Sequence, residues 1–271
     1  MDIINWVDII LLLTVQTHFV LSDDAPVLHG KNSLRTVDGV NSSAEALARR
    51  EVKITDNFQT YQKTCDRKSM SDDLPERAIM KSEIGVDVMC DTKTDGGGWI
   101  VILRRNKMDV DFKKKWVDYR DGFGTYAGDY WLGLKHMHKL TSMGRWELRI
   151  EMTFRKIDYY AQYESFKIGS ESEYFPLRIS GFSGNASDDL KYHNGGRFYT
   201  IDYIDEMGCA AKFRTGWWFQ RCLLVNLNGD YRRTQYQGGI HWKGVDGYHS
   251  LGAAEMKIRK KPRTSPGISS N

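Results

Sequence analysis

The clearest pattern in the chain runs from Trp146 to Phe154. Trp146, Leu148, Ile150 and Met152 alternate with Glu147, Arg149 and Glu151, so one face is apolar and the other charged. This period of two predicts an antiparallel strand with one buried face, and Tyr159–Ile168 reads as its partner. Trp99–Leu103 is apolar throughout and predicts a strand buried on both faces, entered through a sharp turn at Asp95-Gly-Gly-Gly98. Glu83–Cys90 alternates well enough for another strand. His136–Leu140 suits the end of a short helix, and Met256-Lys-Ile258 reads as a last strand. Beyond about Phe182 the periodicity fades, and Gly, Asn, Asp and aromatic residues dominate. A regular sheet carrying an irregular final third places a binding site in that third.

The N-terminal pattern is different. Ile9–Val15 is apolar apart from Thr14, and Val20 and Ser22 precede Asp23 at the positions a signal peptidase inspects. Residues 1–22 therefore read as a secretory signal peptide, although Asp2 and Asp8 stand where Lys or Arg is usual. Asn5, Asp8, Gln16 and His18 interrupt the run, leaving far fewer than the ~20 apolar residues of a spanning helix, so no stable membrane insertion is expected. Residues 23–63 form a polar connector, in which Ser43–Lys53 could make a short helix. Neither a heptad pattern nor a Gly-X-Y repeat is present. Residues 262–271 read as a disordered tail.

Composition changes the picture in three respects. Aromatic residues make up 12% of the chain and glycines number 25, a mix suited to short strands, many turns and aromatic packing. The formal charge is +4, but Lys257, Arg259, Lys260, Lys261 and Arg263 more than account for it, so this C-terminal stretch reads as a solvated basic end. The rest is near neutral, with no basic face interleaved with aromatics, which argues against a nucleic-acid partner. Four cysteines, with a signal segment, fit an oxidising compartment. Three pairings are open; proximity favours Cys65 with Cys90 and Cys209 with Cys222. Asn41-Ser-Ser43 and Asn185-Ala-Ser187 are glycosylation acceptors.

Catalytic constellations are missing. Gly181-Phe-Ser183-Gly184-Asn185 fails the nucleophile-elbow pattern at its last position. Gly96–Gly98 lacks the spacing of a dinucleotide loop. His136 and His138 have no evident third metal ligand. With all four cysteines paired, thiol catalysis is excluded. The chain reads as a binder, not an enzyme. The most suggestive segment is Cys209–Gly229, where two cysteines enclose adjacent Trp217 and Trp218. Just upstream, Asp202-Tyr-Ile-Asp205-Glu206 offers hard oxygen ligands of the kind Ca²⁺ prefers.

Several longer runs together resemble the fibrinogen C-terminal globular domain. They are CDTKTDGGGWIVILRR (from Cys90), VDFKKKWVDYRDGFG (from Val110), GDYWLGLKHMHKLT (from Gly128), SGFSGNASDDLKYHNGGRFYTID (from Ser180), the Cys209–Cys222 loop, and GGIHW with AAEMKIR near the end. The resemblance covers residues 64–261. It implies an α+β domain with a small disulfide-linked N-terminal lobe, a central antiparallel sheet and a loop-rich C-terminal lobe, together with disulfides Cys65–Cys90 and Cys209–Cys222.

The resemblance also implies secretion and non-enzymatic recognition. In lectin-like members a pocket near the second disulfide binds acetyl groups, and a nearby Ca²⁺ stabilises the loop. Carried over to this chain, the metal would fall on Asp202 and Asp205, but Ile204 stands where a second carboxylate is usual and the loop is shorter. The pocket would comprise Phe213, Trp217, Trp218, Leu223, Tyr236 and Gln237. Phe213 lacks the customary hydroxyl, and Leu223 stands where acetyl binders often have His. The implied role is lectin-like recognition of acetylated glycans or cell-surface glycoproteins, as in innate immunity. The alternative is an extracellular ligand or adhesion module that docks on a receptor protein. Weak single sites call for multivalency and hence a homo-oligomer, although the connector is short and no cysteine is spare.

Overall fold

The computed structural model describes residues 64–233 and 237–262. The signal peptide, the connector with its short helix, Asn41, Tyr236 and the tail beyond Pro262 lie outside the described residues.

Eleven strands build the domain: β1 (Arg77–Lys81), β2 (Asp87–Asp91), β3 (Trp99–Arg105), β4 (Phe123–Gly124), β5 (Tyr130–Trp131), β6 (Trp146–Phe154), β7 (Ile157–Ile168), β8 (Leu177–Gly184), β9 (Val225–Asn226), β10 (His241–Trp242) and β11 (Ala253–Lys260). The main sheet runs β1-β2-β3-β11-β6-β7-β8, with β5 added to β3 and β4 to β5, while β9 and β10 form a separate ribbon. Every pair is antiparallel. Four short helices accompany the sheets: α1 (Trp116–Asp121), α2 (Leu134–Ser142), α3 (Cys209–Phe213) and α4 (Lys243–Asp246). The architecture is the α+β class expected from the sequence. Among the described residues no helix is long and apolar enough to cross a membrane.

β6 occupies the predicted span, with Trp146, Leu148, Ile150 and Met152 buried. β3 is buried nearly throughout, as a continuous apolar run requires. The single strand expected over Glu83–Cys90 is instead the turn and second arm of a hairpin. β1 precedes it, and Ser82 Oγ donates to Val86 O at 2.8 Å to close the turn. Gly85 sits there at φ 78°, a conformation that favours glycine and forbids an uninterrupted strand.

A larger correction concerns the basic C-terminal stretch. β11 inserts between β3 and β6, so the last strand in sequence is central in space. Its cations therefore enter the interior and meet carboxylates there. Lys257 Nζ is fully buried, 2.6 Å from both Asp91 and Glu151. Arg259 pairs with Glu147 at 2.8 Å and Asp95 at 2.7 Å. Neither residue belongs to a solvated tail. Such charges are tolerated inside only because each is paired and hydrogen-bonded.

Both favoured disulfides form, with Cα separations of 5.7 Å for Cys65–Cys90 and 5.1 Å for Cys209–Cys222. The first ties the start of the described chain to β2; the second closes the loop on which the candidate site stands. His136 and His138 lie on α2, in keeping with the short helix expected there, and His138 Nδ1 is hydrogen-bonded to Ile168 O at 3.0 Å. Asn185 is exposed at the end of β8, where its Oδ1 accepts from Tyr160 N at 2.6 Å.

Candidate functional site

The irregular C-terminal lobe is held by side chains that terminate backbone hydrogen bonds. Asp205 lies just ahead of α3 and is buried. Its Oδ1 accepts from Met207 N at 3.1 Å and Cys209 N at 2.9 Å, and its Oδ2 accepts from Ala210 N at 2.9 Å. These are the N–H groups that a helix start leaves without intrahelical partners, and a carboxylate satisfies them with a favourable charge. The disulfide then carries the chain from Cys209 to Cys222.

A second clamp is His193, which sequence reasoning did not single out. Its Nδ1 bonds Trp218 O at 2.8 Å, while Nε2 accepts from Leu224 N at 3.2 Å and Val225 N at 3.1 Å. Nε2 is thus an acceptor and Nδ1 carries the proton, donating to Trp218 O. One neutral imidazole joins both sides of the loop. Burial lowers its pKa from 6.5 to about 4, because the charged ring would be desolvated there.

The adjacent tryptophans do not line an open pocket. Trp217 and Trp218 are both 0% exposed. The cause is a bridge in which Tyr199 N donates to Trp217 O at 3.0 Å and Trp217 N to Tyr199 O at 3.1 Å, drawing the segment inward in extended form. The two rings pack edge-on against each other there, with centroids 5.1 Å apart. Trp218 Nε1 donates to Phe175 O at 2.9 Å, and its ring packs against Trp131 and Phe198. Trp217 packs edge-on against His193. Both belong to the core rather than to a ligand surface. Phe213 and Leu223 are also buried, with Phe213 stacked on Phe219 at 6.1 Å. Gln237 is half-buried with φ 64°. The open apolar funnel expected around Phe213, Trp218 and Leu223 is therefore closed by its own packing.

What the lobe does present is a groove of about 530 Å³ beside the second disulfide. Its lining includes Gly196, Arg197, Met207, Phe219, Gln220 and Arg221. Arg197, Met207, Gln220 and Arg221 are exposed, so hydrogen-bond donors and acceptors and a flexible apolar side chain face the same space. None of these except Phe219 stands out in the sequence, because the groove is assembled from three separate segments.

The chain matches the family model "Fibrinogen beta and gamma chains, C-terminal globular domain" over residues 57–261. The chain belongs to the fibrinogen C-terminal domain family. Curated relatives include Tenascin-R of Gallus gallus, 43% identical over 180 residues that cover 64% of this chain and 13% of that protein. Another is Fibrinogen C domain-containing protein 1 of Macaca fascicularis, 43% identical over 188 residues, or 65% of this chain and 44% of that protein. The chain thus spans less than half the length of these relatives. Among solved structures, the fibrinogen-like globe domain of human ANGPTL6 superposes with a TM-score of 0.69 at 33% identity, covering 74% of this chain and 96% of that one.

The loop that the resemblance assigns to calcium precedes the second disulfide, and the residues present fit the ion poorly. Both oxygens of Asp205 are taken by backbone N–H groups. Ile204 offers no ligand atom and is 62% exposed. Asp202 Oδ1 accepts from Trp116 N at 2.8 Å and Thr200 Oγ1 at 2.7 Å, tying the loop to α1. An aromatic stack supplements these bonds: Tyr203 lies between Tyr174 at 4.9 Å and Tyr199 at 6.0 Å, with Trp116 at 5.2 Å. Backbone bonds and stacked rings thus hold this loop.

Proposed function

We propose that the chain is an extracellular, non-enzymatic recognition module that binds acetylated glycans or related surface ligands in the groove beside Cys209–Cys222, without calcium. The observation that carries this reading is the groove itself: it is open, lies next to a disulfide-fixed loop, and combines the exposed Arg197, Gln220 and Arg221 with the apolar side chain of Met207. Polar groups that fix orientation around an apolar floor are the usual make-up of a small-ligand site. The paired cysteines support an oxidising compartment. The donor set supports calcium independence, since Ile204 offers no oxygen and the Asp205 carboxylate already accepts three backbone N–H bonds at the start of α3.

A second reading, docking on a receptor or matrix protein, is favoured by one specific feature. Ile204 and Met207 are 62% and 61% exposed on the same loop, an apolar pair suited to a protein contact. The names of the relatives, a tenascin among them, are in keeping with it.

One experiment separates the two. The secreted protein is passed over an acetylated resin in Ca²⁺ or in EDTA and eluted with N-acetylglucosamine. Retention equal in both buffers and lost in Arg221→Ala is the expected result. Absence of retention in either buffer would sink the glycan reading and leave the adhesion reading. Retention abolished by EDTA would overturn calcium independence.

A further inference from the structure

Buried polar atoms without a hydrogen-bond partner among the described residues concentrate in the C-terminal lobe, at Trp217, Asn226, Asn228, Tyr231 and His241. Two of them, Asn228 Oδ1 and the Tyr231 hydroxyl, belong to residues that line one cavity of about 170 Å³. This cavity shares no lining residue with the groove beside the second disulfide. Asn228 is 0% exposed, and its Nδ2 donates to Gly216 O at 2.8 Å, which fixes the amide and leaves Oδ1 as the acceptor in need of a donor.

The same cavity is lined by Arg105, which is 1% exposed. Its guanidinium lies over Phe112 at 3.7 Å and over Tyr231 at 4.7 Å. Nη1 donates to Leu227 O at 3.0 Å, and Nε reaches Asp129 only at 3.4 Å. The two form a buried ion pair at this long separation, and the other carboxylate oxygen accepts from Asn106 N at 2.7 Å and Lys107 N at 2.8 Å. Nη2 makes no hydrogen bond among the described residues. Burial disfavours the charged guanidinium, so a further anionic acceptor would stabilise it. Water could satisfy an amide oxygen and a phenol, but a carboxylate gives Nη2 a stronger, charge-assisted bond. Around the cavity, Asp109, Asp111 and Asp230 add acceptors and Lys113, Arg214 and Arg232 add donors.

We propose that this cavity binds a small hydroxylated carboxylate, the chemistry of an acidic sugar, with its carboxylate on Arg105 and its hydroxyls on Asn228 and Tyr231. A carboxylate accepts from the free Nη2. A hydroxyl both donates and accepts, and so answers Asn228 Oδ1 and the Tyr231 hydroxyl together. The volume suits a single ring rather than an oligosaccharide, so the site would read one residue at a time.

The test is calorimetric or NMR titration of the full chain with sodium glucuronate, using glucose as the uncharged counterpart. Glucuronate is expected to bind in the millimolar range and glucose at least tenfold more weakly. Tyr231→Phe should weaken glucuronate about fivefold, the effect of losing one hydrogen bond. Its melting temperature should hold or rise, because the deleted hydroxyl has no protein partner. Equal binding of the methyl glycoside would mark a sugar within a glycan as the source, and binding of the free acid alone a soluble metabolite. No saturation by glucuronate, equal affinity for glucose, or undiminished affinity in Tyr231→Phe would each overturn the proposal. Acetyl-resin retention should be the same in Tyr231→Phe as in the wild type, so failure of either site is distinguishable.

Discussion

Acidification should weaken the lobe through His193, and the size of the effect follows from its contacts. Nε2 faces the N–H groups of Leu224 and Val225, so a proton there would replace two attractive contacts with repulsive ones. The unfolded chain takes up this proton near pH 6.5, the folded one only near pH 4. Between those values the unfolded state binds more protons, so stability falls as pH is lowered. The contribution is complete above the unfolded value and is lost by the folded one. A gap of that size, at about 1.4 kcal/mol per pKa unit, amounts to about 3 kcal/mol. The assay is urea unfolding of the wild type and His193→Gln from pH 4 to 7.5 with disulfides intact. Carboxylates such as Asp66, Glu151 and Asp230, which partners hold below their ordinary range, titrate in both proteins and cancel in the difference. The stability advantage of the wild type over His193→Gln should shrink by about 3 kcal/mol between pH 7 and pH 4. An advantage that stays constant across this window would refute the assignment of a neutral, buried clamp.

Asp205→Ala should leave the N–H groups of Met207, Cys209 and Ala210 without their acceptor and cost about 2 kcal/mol in urea unfolding; a loss indistinguishable from zero would show that α3 does not depend on this cap. Lys257→Met should cost about 3–5 kcal/mol, because Asp91 and Glu151 would face each other without their shared cation. Adding Asp91→Asn should recover part of that loss, and an unrecovered double variant would point to packing rather than charge. Gly229→Ala would drive a methyl group into the backbone carbonyl of Gly239 and should lower the melting temperature more than Gly252→Ala, whose methyl would meet Thr153 O only at 3.4 Å; equal effects would contradict the close approach.

The sequence by itself determined the elements whose patterns are local. The alternation in Trp146–Phe154 fixed β6 because a period of two commits every side chain to one face. The run Trp99–Leu103 fixed β3, and cysteine proximity agreed with the disulfides found. The family was also legible, since its motifs are strings of neighbours. The hairpin at Ser82–Val86 was missed because both of its arms carry apolar residues and the turn rests on one glycine.

Only the tertiary structure decided the facts that depend on distant segments meeting. Lys257 and Arg259 looked like solvent-facing cations until β11 was placed between β3 and β6 with carboxylates waiting in the neighbouring strands. Trp217 and Trp218 were expected to line a ligand pocket, but with Trp217 bridged to Tyr199 both are fully buried. Asp205 looked like a metal ligand until its oxygens were found capping α3. The groove beside Cys222 and the cavity around Arg105 are built from segments far apart in the chain. The physical reason is common to all: local pattern states which surface a residue prefers, but burial, pairing and open space are properties of what the rest of the chain brings to it.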